Sequence, residues 1–158
     1  MINAAGYERT IDMNAPPPTD DPNVYAEAYS TAWTNDPAGL LEFFAPSGSY
    51  TDMAMGTTYE GHDGILHFHR WMLKFAPDSV IDFYAPAVRD GVLYLEWLWS
   101  GSFEGALRLP DGALIPSNGQ KFEVPGIAAC RYDADGKLTS HRDFWDAAQM
   151  VAQLRAAV

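Results

Sequence analysis

Between residues 80 and 145 the chain carries four long segments of strand pattern, over 80–87, 92–103, 121–132 and 138–145. Side chains alternate across a strand, so each segment presents two faces of different chemistry. Turn residues separate them at Arg89-Asp90-Gly91 and at Asp133-Ala134-Asp135-Gly136, and the second predicts a hairpin. A sheet of this size needs helices or a second sheet over its apolar face, and helical spacing lies upstream. In residues 23–33, Val24, Ala28 and Ala32 form one row while Tyr25, Tyr29 and Trp33 form another. Pro37 opens a second helix with Leu40, Leu41, Phe43 and Phe44 on its apolar face. A third, over 65–75, sets Ile65, Phe68, His69 and Met72 along one stripe, and a short helix over 147–157 closes the chain. Helices, then antiparallel strands, then a last helix make an α+β order.

Less regular segments complete the outline. Residues 1–22 contain Pro16-Pro17-Pro18 and read as an N-terminal arm, leaving 23–158 as one domain. Pro46-Ser47-Gly48 reads as a turn before a strand over 49–54. The connection over 105–119 is long for a structureless loop and is expected to be an irregular hairpin or a lid.

Ten basic against twenty-one acidic residues give a net charge of −11. That excludes the basic patch on which nucleic acid or anionic membrane binding depends. Hydrophobic residues make up 47% of the chain, enough for a substantial core, and no apolar run reaches membrane-spanning length. The single cysteine, Cys130, rules out an internal disulfide and lies in an apolar run as a core residue. Four histidines lack the spacing of a metal site, so neither metal nor cofactor is expected. The chain is read as a cytoplasmic protein.

The stretch His141-Arg142-Asp143-Phe144-Trp145-Asp146 concentrates the chemistry. Alternation puts His141, Asp143 and Trp145 on one face and Arg142 and Phe144 on the other. A carboxylate between an imidazole and an indole must be functional or specifically partnered, because burying an unpaired charge is costly. The plain alternative is an ion pair with Arg142 or Arg70. Asp146 stands just before the helix, as a cap. Tyr50 and Asp52 share a face of an earlier strand. Two carboxylates in one apolar pocket cannot both ionise cheaply, which splits them into acid and base. Trp71, Trp97, Trp99 and Trp145 exceed ordinary core needs and suit a wall for a flat ligand.

This order of elements, with Phe44-Ala45, Ser49-Tyr50-Thr51-Asp52, Gly61-His62-Asp63-Gly64-Ile65, Phe75-Ala76-Pro77-Asp78, Asp135-Gly136-Lys137-Leu138 and the 141–146 stretch, resembles the SnoaL-like branch of the nuclear transport factor 2-like superfamily. The resemblance runs over about residues 23–155. It implies a cone-shaped, curved mixed or antiparallel sheet wrapping three N-terminal helices around a deep apolar pocket, and often a dimer. Polyketide cyclases, ketosteroid isomerases, limonene epoxide hydrolases, dehydratases and non-enzymatic binders share that fold, so it does not settle function. The resemblance puts Asp143 where cyclases and epoxide hydrolases hold a catalytic carboxylate, and Asp52 where ketosteroid isomerases hold their base. Trp97 and Trp99 replace the Arg and Asp that epoxide hydrolases require, which disfavours that chemistry. The cyclases' second catalytic residue, a histidine, gives way to something small near Ala129 or Cys130.

The expected activity is cofactor-free acid–base chemistry of an isomerase, cyclase or lyase on an apolar aromatic or polycyclic molecule. Asp143, His141, Asp52 and Tyr50 are the candidate catalytic residues. Trp97, Trp99, His69, Met72, Trp145 and Tyr29 are the candidate substrate contacts. Asp143→Asn is expected to remove proton transfer with little change in stability. The rival is a non-catalytic binding or accessory protein. Leu98, Tyr94 and Phe144 on the outer sheet face predict a homodimer.

Overall fold

A computed structural model describes residues 17–156. Residues 1–16 of the expected arm lie outside the described residues. Asp21 caps the first helix, α1 (Pro22–Asn35), accepting from Asn23 and Val24 backbone N–H groups, with Pro22 in the first turn. Of its two rows, Tyr25, Tyr29 and Trp33 turn inward, whereas Val24 points to solvent. The helix α2 (Pro37–Glu42) is capped by Asp36, and α3 (Gly61–Phe75) buries Ile65, Phe68, His69, Met72 and Phe75.

Among the described residues, eight strands follow the chain as β1 (Phe44–Asp52), β2 (Thr57–Glu60), β3 (Val80–Arg89), β4 (Val92–Ser102), β5 (Leu107–Arg108), β6 (Leu114–Ile115), β7 (Lys121–Tyr132) and β8 (Leu138–Trp145). Six of them form one mixed sheet in the order β2-β1-β8-β7-β4-β3. Its only parallel pair is β1 with β8. The α+β expectation holds: α1 lies along β3, α3 along β1, and the sheet stays open rather than closing into a barrel. The last helix, α4 (Ala147–Arg155), packs on β7, and Asp146 caps it through the Ala148 and Gln149 N–H groups.

The structure corrects one local expectation, adds a strand the sequence did not announce, and decides between two readings of a third segment. Pro46-Ser47-Gly48 is no turn but part of β1, where the register to β8 jumps between Phe44 and Ser49. An irregularity of this kind tolerates a proline that cannot join the ladder. Gly48 belongs there because a Cβ would stand 2.6 Å from the Leu138 carbonyl oxygen. The short strand β2 carries little apolar burial and so left no alternating signal. The 105–119 connection is an irregular hairpin, β5 with β6, whose Leu107 and Ile115 turn inward.

Candidate functional site

The parallel pairing of β1 with β8 assembles the site. In that register Tyr50 lies beside His141 and Asp52 beside Asp143, with all four side chains on the buried face. Asp143 accepts three hydrogen bonds. His141 Nε2–H and Trp97 Nε1–H donate to Oδ1 at 2.6 and 2.9 Å, and the Tyr50 hydroxyl donates to Oδ2 at 2.6 Å. Neither Arg142 nor Arg70 takes part. The Arg142 guanidinium instead lies 5.6 Å from the Phe144 ring centroid, on the other face.

His141 is wholly buried behind Asp143. Burial alone would strip its proton; the Asp143 carboxylate overrides that and raises the imidazole to about 10. Both ring nitrogens then donate, Nε2–H to Asp143 and Nδ1–H to the Tyr29 hydroxyl at 2.7 Å. Burial keeps the Tyr29 and Tyr50 phenols well above their usual range, so both stay protonated. A group raised in the folded state stabilises fully below its unfolded value, and that stability disappears as pH climbs through the folded value. The His141–Asp143 pair should therefore hold through neutrality and fail as pH approaches about 10. Imidazole nitrogen shifts should show both ring nitrogens protonated at about pH 8; a midpoint near the unperturbed value of about 6.5 would refute the pairing.

Asp52 is held differently. Its Oδ1 accepts from Trp145 Nε1–H at 2.8 Å and from the Met55 backbone N–H at 3.0 Å. No side chain donates to Oδ2 among the described residues. Burial raises this carboxyl above its usual range, and those two hydrogen bonds only partly oppose it.

Both carboxylates line one cavity, which encloses about 570 Å³ of space including its open mouth. Trp33, Trp71, Trp97, Trp99 and Trp145 line it, and these are all the tryptophans of the chain. Phe68, Phe83, Met55, Met72 and Leu107 fill the intervals. Trp71 is ordered by stacking between Phe68 and Phe75, at centroid distances of 5.7 and 5.6 Å. Trp99 is fixed by its N–H to Ser79 Oγ at 2.9 Å.

Of the sequence-predicted site residues, Asp143, Asp52, Tyr50, Trp97, Trp99, Met72 and Trp145 meet on this cavity. Three do not. His141 and Tyr29 stand behind Asp143 as a buried chain, out of reach of a ligand. His69 turns toward α1, where its Nε2–H donates to the Trp33 carbonyl oxygen at 2.9 Å. Burial lowers its pKa despite that bond, so it is a neutral core histidine. Trp33, Met55 and Leu107 reach the cavity without having been singled out. The Tyr25–Tyr29–Trp33 row signalled burial only, and the two others lie in a turn and a two-residue strand.

No curated protein matches the sequence. Solved structures do match the fold. A ketosteroid isomerase-like protein from Catenulispora acidiphila DSM 44928, in complex with trimethylamine, is 22% identical with a TM-score of 0.67, over 81% of this chain and 89% of that one. A candidate SnoaL-like polyketide cyclase from Jannaschia sp. CCS1 is 17% identical with a TM-score of 0.69, over 84% and 89%. A candidate polyketide cyclase from Acidithiobacillus ferrooxidans is 20% identical with a TM-score of 0.65, over 84% and 92%. The model of the SnoaL-like domain matches residues 25–141, most of the chain, and the protein belongs to that family.

Proposed function

We propose that this protein is an acid–base enzyme of the cyclase, isomerase or lyase kind, acting on an apolar aromatic or polycyclic molecule inside the tryptophan-lined cavity. The observation that supports this most is a carboxylate, Asp143, on the cavity wall with a second, Asp52, beside it. Asp143 takes a proton from a carbon next to a carbonyl, while His141, Trp97 and Tyr50 hold its oxygens in place. Asp52, raised by burial, keeps a proton closer to neutrality and gives it to the oxygen as negative charge develops there. Returning the proton to a different carbon completes an isomerisation; attack of the enol carbon on a second carbonyl completes a cyclisation.

The experiment is deuterium exchange into phenylacetone and 2-tetralone in D2O, followed by NMR with and without the protein. Faster exchange than in buffer, lost with Asp143→Asn, is the expected result. Ketones that bind but do not exchange would replace this reading with the binding one. That second reading draws on the three donors already engaging Asp143.

We further propose a homodimer through the outer sheet face. Tyr84, Tyr94, Ile127 and Phe144 are each 42–49% exposed there. Tyr84, Glu96, Ile127 and Phe144 run as one row across four strands. A second copy would cover the apolar members of this row, Tyr84, Ile127 and Phe144, and light scattering at micromolar concentration should give twice the monomer mass. A monomer there would refute it.

A further inference from the structure

We propose that the ligand of this cavity carries a tertiary or quaternary ammonium group, seated against indole faces with Asp52 as its counter-charge. The inference rests on the cavity being the functional site, adds the chemical class of what enters it, and has Asp52 ionised while the cation is bound, in place of the proton donor's state. Three observations carry it. The charged side chains on the wall are Asp52 and Asp143, with no lysine or arginine among them. His141 already answers Asp143 from behind, which leaves Asp52 without a cation among the described residues. Asp52 is 4% exposed, and its Oδ2 lies without a side-chain donor on a wall of tryptophans.

Most of the donors around the cavity are already committed, the Trp71 N–H being the one without a side-chain or backbone acceptor among the described residues. Trp97 and Tyr50 donate to Asp143, Trp145 to Asp52 and Trp99 to Ser79. Trp33 Nε1 is sealed from the space. An anionic ligand would meet two carboxylates and few free N–H groups. A neutral apolar ligand would fill the space and leave Asp52 to hold its proton, with Trp145 and the Met55 N–H on its Oδ1. An alkylammonium suits a wall that carries two carboxyl groups and aromatic faces. Its methyl groups need no hydrogen bonds, its charge offsets that of Asp52, and the negative face of an indole attracts it most strongly where water is excluded. Burial raises the Asp52 carboxyl toward its protonated form, and a cation seated against it favours the ionised one.

The test is a titration of the full chain with choline and with 3,3-dimethylbutan-1-ol, its neutral carbon isostere, followed by tryptophan emission. All five tryptophans face the cavity, so occupancy should alter the signal. Choline should bind at least about 10-fold more tightly than the alcohol, as expected of a desolvated cation on aromatic faces. Asp52→Asn keeps an oxygen for Trp145 and Met55 but removes the charge, and should reduce the preference to about threefold or less. Trp71→Leu, at a half-buried wall position, should weaken choline more than the alcohol, and decides the matter if Asp52→Asn fails to fold. Equal or tighter binding of the alcohol, no binding of either, or a preference that both substitutions leave intact would overturn the proposal. Ketone exchange without a cation preference would remove this inference and leave the acid–base reading. A cation preference without exchange would do the reverse.

Discussion

Asp143→Asn should slow deuterium exchange into a bound ketone by about 100- to 10,000-fold, the usual contribution of a general acid–base group. Ligand affinity should change far less, because the tryptophan walls are untouched. Asn is close to isosteric, but it cannot balance the buried imidazolium of His141. Removing one partner of a buried pair typically costs about 3–5 kcal/mol. The lower end applies here, since His141 can shed its proton once the carboxylate is gone. In a chain of this size that is roughly a 10 °C fall in Tm. The sequence alone suggested little loss of stability, on the premise that Asp143 had no partner. Its bonds to His141, Trp97 and Tyr50 reverse that half of the expectation. Full exchange activity alongside the lower Tm would make Asp143 purely structural and leave the binding reading in possession.

Gly126→Ala should be the most damaging single methyl group that can be added near the site. Gly126 faces Trp97 across the β4–β7 ladder, and the indole lies directly over its Cα. A Cβ there would stand 2.6 Å from Trp97 Cη2, with two further indole atoms closer still. Trp97 is 4% exposed and cannot swing into solvent. Overpacking of this kind costs about 1–3 kcal/mol. If the indole shifts, its N–H to Asp143 is lost as well, adding about 1–3 kcal/mol for a buried group left unpaired. Both Tm and exchange activity should fall. Adding Trp97→Phe, whose smaller ring clears the methyl group, should recover part of the stability but not the hydrogen bond to Asp143. Urea unfolding of the two single variants and the double one measures this coupling. Additive costs would show that the glycine is not there for the indole.

This dependence illustrates which parts of the molecule can be read from the chain. Alternation within β8 gave the shared face of His141, Asp143 and Trp145, because a period of two is a local property. The cap at Asp146 was legible for the same reason. Register between strands is not local. Nothing near Trp97 marks Gly126 as its neighbour, and nothing near Asp143 marks Trp97 and Tyr50 as its donors. His69 and Tyr29 sat on the expected helix faces, yet a stripe specifies burial and not which buried neighbours a side chain will meet. The bulge at Pro46-Ser47-Gly48 shows the converse. Local turn chemistry was present, and pairing of Ser49 and Phe44 with β8 overrode it.

The position of β8 bears on how the chain is made. It lies between β1 and β7, yet it follows every other strand in sequence. Without it the pairings of the sheet divide into two groups, β2-β1 and β7-β4-β3, each with an unpaired edge where β8 belongs. Open edges of this kind recruit other strands. A chain still on the ribosome and lacking residues 138–145 thus presents two sticky edges at once, and a long-range closure such as Tyr50 to Asp143, 93 residues apart, is intrinsically slow. The segment that carries Asp143 is also the one that joins the two halves of the sheet, so a molecule that has acquired its carboxylate has, by the same event, covered both interior edges.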